Sequence, residues 1–233
     1  MATYVMSDIH GEYEKYKKML EVINFSDDDT LFVLGDVCDR GPDPVKVLID
    51  MSMRANVYPI MGNHELMALD ILEKLTVEIT EENYATHLDD KFFKAMAAYQ
   101  LDGGDVTLQK FKKLSPAERA DLVEYIKDFA PYEIIDVNGK TFILVHSTLG
   151  NFAPDKPLSA YTLEELVWHR ADYDKRLFDD EDIFVVSGHT PTKLICGREE
   201  IYQKSGNIAI DCGAAFGGKL ACLCLDSMEE FYV

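Results

Sequence analysis

The stretch Leu34-Gly35-Asp36-Val37-Cys38-Asp39-Arg40-Gly41 governs how the rest of the chain is read. The apolar run leading into it, Thr30-Leu31-Phe32-Val33-Leu34, predicts a buried strand. The run stops at Gly35, and two carboxylates and a guanidinium follow within five residues. Charge of that density at the end of a core strand is costly unless something offsets it. A metal ion for the acids and a phosphate for the arginine are the usual compensation. A solvated acidic turn would look the same in isolation, so the weight falls on whether the event recurs.

It recurs in both directions. Upstream, Tyr4-Val5-Met6 opens as a strand and stops at Ser7-Asp8-Ile9-His10-Gly11. Side chains at i and i+2 of an extended segment share a face, so Asp8 and His10 can address one atom. Downstream, Val57–Met61 reads as a strand interrupted by Pro59 and ends at Gly62-Asn63-His64-Glu65. Asn138-Gly139, between Tyr132–Val137 and Lys140–Val145, signals a two-residue hairpin whose second strand ends at His146. Ile183–Ser187 ends at Gly188-His189-Thr190-Pro191. Between the early strands, Tyr13, Tyr16, Leu20 and Ile23 fall at helical spacing, and Pro44 with Val45, Leu48 and Ile49 opens another helix. Strands alternating with helices imply an α/β fold with parallel pairing. Residues 66–130 read as almost wholly helical, with a capping box at Ser115-Pro116-Ala117-Glu118, and form a candidate cap or insertion. Segments 207–210, 219–225 and 229–233 close as strands. No repeat or linker divides the chain, so 1–233 reads as one domain.

Composition narrows the class. At 233 residues, 47% hydrophobic and 11% aromatic, the chain has the make-up of a globular protein with a proper core. A formal charge of −19 speaks against nucleic acid as a partner, because that affinity comes mainly from Lys and Arg on phosphates. No apolar run is long enough to span a bilayer and the N-terminus has no basic-then-apolar leader, so no membrane partner is expected and the chain reads as cytoplasmic. Five cysteines without a CxxC pair argue against a disulfide framework, and Cys222 and Cys224 read as buried thiols.

Five predicted strands thus deliver polar residues at their carboxyl ends, the edge at which α/β sheets bind ligands. Four of the six histidines belong to this set. Carboxylate, imidazole and amide without thiolate suit Mn²⁺, Fe or Zn²⁺. There are more candidates than one ion needs. A carboxylate such as Asp36 can bridge two, and a metal pair is a standard clamp for displacement at phosphorus.

Taken in order, Asp8-Ile9-His10-Gly11, Gly35 to Gly41, Gly62-Asn63-His64-Glu65, His146 and Gly188-His189-Thr190 resemble the calcineurin-like metallophosphoesterases. The set is similar to their phosphoprotein phosphatase branch, nearest its small bacterial and phage lambda-type serine/threonine phosphatases. The resemblance implies a four-layer α/β/β/α sandwich of two mixed sheets. It implies one metal on Asp8, His10 and Asp36, and a second on Asp36, Asn63, His146 and His189, with Mn²⁺ foremost. Arg40, Arg170 and Asn63 would bind the substrate phosphate. A hydroxide activated by the two cations would attack phosphorus, and His64, oriented by Asp39, would protonate the leaving oxygen. The activity expected is that of a protein phosphatase acting on phosphoserine or phosphothreonine. The alternative is a symmetrical dinucleoside tetraphosphate hydrolase, which shares every metal motif.

Three positions depart from the pattern. Ser147-Thr148 replaces the usual small residues after His146 and would add bulk near the second metal. Ile60-Met61 stands where eukaryotic protein phosphatases have Leu-Arg, which weakens phosphoprotein specificity. No second histidine follows His189 two residues on, which counts against nuclease and phosphodiesterase branches. Trp168 reads as a packing residue, Asp211 as a structural loop carboxylate, and Cys38 as a passive thiol.

Overall fold

The computed structural model describes the backbone of residues 1–233 and every side chain except those of Ala85 and Thr86. Among the described residues, ten strands form two mixed sheets. The first has the order β10-β9-β1-β2-β3, built from β1 (Thr3–Met6), β2 (Thr30–Val33), β3 (Val57–Pro59), β9 (Ala221–Cys224) and β10 (Glu230–Tyr232). Its centre is parallel, with Val5 beside Phe32 and Val33 beside Pro59. The second has the order β4-β5-β6-β8-β7, built from β4 (Glu133–Val137), β5 (Lys140–Leu144), β6 (Ile183–Ser187), β7 (Tyr202–Lys204) and β8 (Asn207–Ala209).

The alternation of side chains along each strand makes the layers. Val5, Phe32, Phe142, Leu144 and Val186 point between the sheets and share one core. Their neighbours Met6, Leu31 and Val33 turn outward, onto Tyr16 and Met19 of α1 (Tyr13–Val22) and Leu48 and Met51 of α2 (Pro44–Ser52). Ile143 and Val185 turn the other way, to the outer core that holds Leu166 and Val167 of α8 (Leu163–Val167). The result is the α/β/β/α sandwich expected. Each apolar side chain in that alternation leaves water, worth roughly 1.5–3 kcal/mol apiece.

The helical stretch comprises α3 (Asn63–Thr76), α4 (Tyr84–His87), α5 (Asp90–Tyr99), a π-helical turn over Gln100–Gly104, α6 (Asp105–Phe111) and α7 (Pro116–Lys127). The Ser115 cap forms as predicted: its hydroxyl accepts from Glu118 N at 3.3 Å, and Glu118 accepts from Ser115 N at 2.7 Å. Strand ends shift by a residue or two, and two larger differences from the sequence reading stand out. Helix α3 starts at Asn63 rather than 66, so Asn63 and His64 stand in its first turn. Strand β7 was not anticipated; its signal is Ser205-Gly206, whose paired positive φ values (52° and 76°) make a second two-residue hairpin like Asn138-Gly139. The last helix is α9 (Thr192–Cys196). Among the described residues no helix is long and apolar enough to cross a membrane.

Candidate metal centre

The parallel strands all end at one edge, and the residues just past them meet there. Asp8, His10, Asp36, Asp39, Arg40 and His189 each adopt positive φ, between 43° and 73°. Left-handed backbone at so many non-glycine positions is strain of the kind that collects at functional sites. Glu65 holds the central loop in this shape. It accepts backbone N–H bonds from Asp36, Val37, Cys38 and Gly62 at 2.7–3.1 Å. Close approach at the opposite wall requires Gly188, where a Cβ would lie 1.8 Å from Ser7 Oγ and 2.0 Å from Asp8 Oδ2.

The imidazoles are oriented from behind. His10 Nδ1 lies 2.7 Å from the carbonyl of Cys38, and His146 Nδ1 lies 2.7 Å from that of Leu34. A carbonyl only accepts, so each Nδ1 donates, and each ring turns its Nε2 toward the centre. His146 Nε2 then faces Asn63 Oδ1 at 2.9 Å and Asp36 Oδ1 at 3.4 Å. Imidazole, amide oxygen and carboxylate converge at this point, an arrangement that fits a cation. Burial, with the neighbouring His146, pushes His189 down to about 4, and burial pushes His10 down to about 3. Both rings are therefore neutral and able to ligate at neutral pH.

Three buried carboxylates crowd the same space. Burial opposes ionisation of Asp36, but His146, His64 and His10 more than offset it and hold its carboxyl low. Asp8 is pushed up by burial and by the charges of Asp211 and Asp36. Asp211, which accepts from Gly213 N at 2.8 Å, is pushed up to about 6 by burial foremost. Excess buried negative charge of this kind also fits divalent cations. Among the described residues two groups have ligand atoms within 4.8 Å of one another: His10, Asp36 and His64, and Asp36, His146 and His189. Asp36 belongs to both. Asp8 belongs to neither; its Oδ2 instead accepts from Ser7 Oγ and from His189 N, the latter at 3.0 Å.

His64 Nδ1 lies 2.7 Å from Asp39 Oδ2. The other oxygen of Asp39 accepts from Tyr99 Oη and Thr107 Oγ1, both at 2.5 Å, so two side chains of the helical stretch fix the pair. Burial disfavours the charged His64 ring, but Asp36 and Asp39 outweigh it and raise its pKa. Among the described residues its buried Nε2 has no hydrogen-bond partner. Arg40 donates to Asp102 Oδ1 at 3.2 Å, and its Nη1 lies 2.6 Å from His10 Nε2. Asp102 Oδ2 sits 3.6 Å from His64 Nε2. Arg40, Arg170, Asn63, His64 and His189 line one cleft of about 510 Å³.

Several residues differ from the sequence expectation. Trp168 is 43% exposed and lines the cleft, so it is not a packing residue; α8 ends beside it and leaves its ring outside the core. Asp211 does accept from Gly213 N in its own loop, and it is also buried and lines the cleft. Ser147 adds no bulk to the donor set, because its hydroxyl donates to Leu166 O at 2.7 Å. Cys38 is a buried thiol pushed up by burial and by Glu65, as expected of a passive one. Glu65, Tyr99, Asp102 and Thr107 went unassigned in the sequence. Glu65 could have been found from its place at N3 of the helix that Asn63 opens, but the other three carry no local signal.

Two stacked mixed sheets with histidine, aspartate and asparagine gathered at their shared carboxyl edge define a metallophosphoesterase architecture. The calcineurin-like phosphoesterase family matches residues 1–222, and the chain belongs to it. A symmetrical bis(5'-nucleosyl)-tetraphosphatase of Wigglesworthia glossinidia brevipalpis is 38% identical over 90 residues, covering 38% of this chain and 33% of that protein. The asymmetrical bis(5'-nucleosyl)-tetraphosphatase PrpE of Bacillus velezensis is 26% identical over an alignment of 244 positions, covering 94% and 87%. A crystal structure provisionally assigned as a diadenosine tetraphosphatase covers 99% of this chain and 92% of its own, with a TM-score of 0.63 at 18% identity. That likeness speaks for the fold. The match to the symmetrical enzymes spans about a third of their length.

Proposed function

We propose that the chain is a metal-dependent phosphoesterase acting on dinucleoside tetraphosphates. The hydrolase reading rests on two donor groups that share Asp36. The substrate class rests on relatives named for dinucleoside tetraphosphates, whether they cut symmetrically or asymmetrically. Of the two activities expected from the sequence, this is the alternative rather than the first. His10 and Asp36 of the first group would hold one cation together with Asp8, whose carboxylate here accepts from Ser7 Oγ and His189 N. Asp36, Asn63, His146 and His189 would hold the other, with Mn²⁺, Fe or Zn²⁺ suiting the donors. When bound, such a pair supplies an acidified water and neutralises charge for displacement at phosphorus. Arg40 and Arg170 grip the non-bridging oxygens, and the incoming phosphate takes Arg40 from Asp102. His64, held by Asp39, carries the proton for the leaving oxygen. The helical stretch 66–130 acts as a cap on one domain spanning 1–233. The partner is a small phosphoester rather than nucleic acid or a membrane.

The His64–Asp39 pair also favours a second reading, a serine/threonine protein phosphatase. An alkoxide of serine needs a proton in order to leave, whereas a nucleoside diphosphate departs as a stable anion. Assays of diadenosine tetraphosphate and of a phosphoserine peptide with added Mn²⁺ separate the two. His64→Asn should slow the peptide by roughly a hundredfold or more and the anhydride far less. Turnover of the peptide alone replaces the first reading by the second. Failure of both substrates with Mn²⁺, Fe²⁺ and Zn²⁺ overturns the hydrolase itself.

A further inference from the structure

Three large apolar side chains stand exposed around the polar centre: Trp168 at 43%, Phe216 at 68% and Leu194 at 71%. They come from separate elements, the end of α8, the 3₁₀ turn Ala214–Phe216 and helix α9, yet all line the one cleft. Apolar surface gathered at the rim of a charged site is a marker of ligand contact rather than of scattered exposure. The Arg40 guanidinium lies over the Phe216 ring, 5.1 Å from its centroid, and Arg170 and Trp168 line the same cleft. The cleft therefore offers cationic donors for phosphate beside flat apolar faces. On the same rim Lys193 and Glu199, ion-paired at 2.8 Å, present a donor and an acceptor. A volume of about 510 Å³ exceeds the need of a phosphate alone and lies in the range of small-molecule sites.

We propose that Trp168 and Phe216 form an aromatic subsite for the nucleobase of the substrate, with Leu194 closing its outer side. The inference rests on the nucleotide reading given above. A base has two π-faces and a polar edge; the rings would take its face, and Lys193 and Glu199 its edge. Aromatic stacking is tolerant of base identity, so the subsite selects a nucleotide without selecting which one. It would favour nucleoside polyphosphates over inorganic polyphosphates of equal charge.

Trp168 is the single tryptophan of the sequence, so its fluorescence reports on this place directly. The metal-loaded protein is titrated with adenosine diphosphate, pyrophosphate and phosphotyrosine. Adenosine diphosphate should change Trp168 emission saturably, and pyrophosphate should not. Phe216→Ala should weaken adenosine diphosphate about fivefold or more beyond any loss for pyrophosphate, which is read by competition. Equal losses for both would mean that Phe216 acts only through Arg40, and would overturn the subsite. A response to phosphotyrosine with none to adenosine diphosphate would overturn it in favour of an aryl phosphate. The outcome is separable from the hydrolase reading. An emission change without turnover of diadenosine tetraphosphate leaves the subsite standing and removes the activity. Turnover without an emission change does the reverse.

Discussion

Asp36 joins the two halves of the centre. Its Oδ2 lies 3.4 Å from His10 Nε2, and its Oδ1 lies 3.4 Å from His146 Nε2. A neutral amide in its place removes the only charge common to both donor groups, since each contains Asp36. Asp36→Asn should therefore lose bound metal and turnover together, as measured by metal analysis of protein purified without chelator. Full metal content in that variant would remove Asp36 from its bridging role. Asp211 tests the opposite effect, a carboxylate held where ionisation is unfavourable. Its folded-state value of about 6 stands above the ordinary 3.8. Above pH 6 both folded and unfolded states carry the charge, and the folded state bears the full penalty. The penalty falls away as pH drops from 6 toward 4, and below about pH 3 both states are protonated and it is gone. In metal-free protein Asp211→Asn should raise stability by about 2–3 kcal/mol at pH 7 and by almost nothing at pH 3.5. Urea unfolding across that range reads it, and a gain independent of pH would contradict the burial of that charge.

At the scale of elements, the site depends on a break in a helix. Between α5 and α6 the turn Gln100–Gly104 carries Gly103 at φ 101°, a conformation open mainly to glycine. Gly103 O accepts from Arg40 N at 3.1 Å, and a Cβ at Gly103 would come within 2.7 Å of Arg40 Cγ. The same turn presents Asp102 to Arg40, and the flanking helices bring Tyr99 and Thr107 to Asp39. Gly103→Ala should thus displace Arg40. The expected result is a KM for phosphate substrates raised about tenfold or more, with the folded circular-dichroism signal retained. An unchanged KM would remove Arg40 from substrate binding. The glycine after Gln100-Leu101-Asp102 was visible in the sequence, but its meaning was not. Only the packing of that turn against the 36–41 loop gives it one.

Across the whole molecule, a chain with a formal charge of −19 buries Asp8, Asp36 and Asp211 in one neighbourhood. Cations bound there stabilise the folded state by mass action, by about 2.7 kcal/mol at a hundred times the dissociation constant. For a chain of this size, saturating Mn²⁺ should raise the melting temperature of chelator-treated protein by roughly 5–10 °C. Calorimetry checks this, and Asp36→Asn should abolish the shift. A melting temperature indifferent to Mn²⁺, Fe²⁺ and Zn²⁺ would contradict a metal centre.

What the sequence determined by itself was the strand-end pattern. Apolar runs stopping at Asp8, Asp36, Asn63, His146 and His189 dictate where polar side chains leave the core, because parallel strands share one carboxyl edge. That pattern also implied an α/β fold with parallel pairing, whereas the division into two mixed sheets came only from the family resemblance and from the strand pairing itself. The tertiary structure alone decided the partners drawn from distant parts of the chain. Tyr99, Asp102 and Thr107 meet Asp39, Arg40 and His64 only because the helical stretch folds back over the 36–41 loop. Trp168 and Phe216 become neighbours of one cleft only because α8 and the turn before β9 end at its rim. Such encounters depend on how whole elements pack, and no local periodicity encodes them.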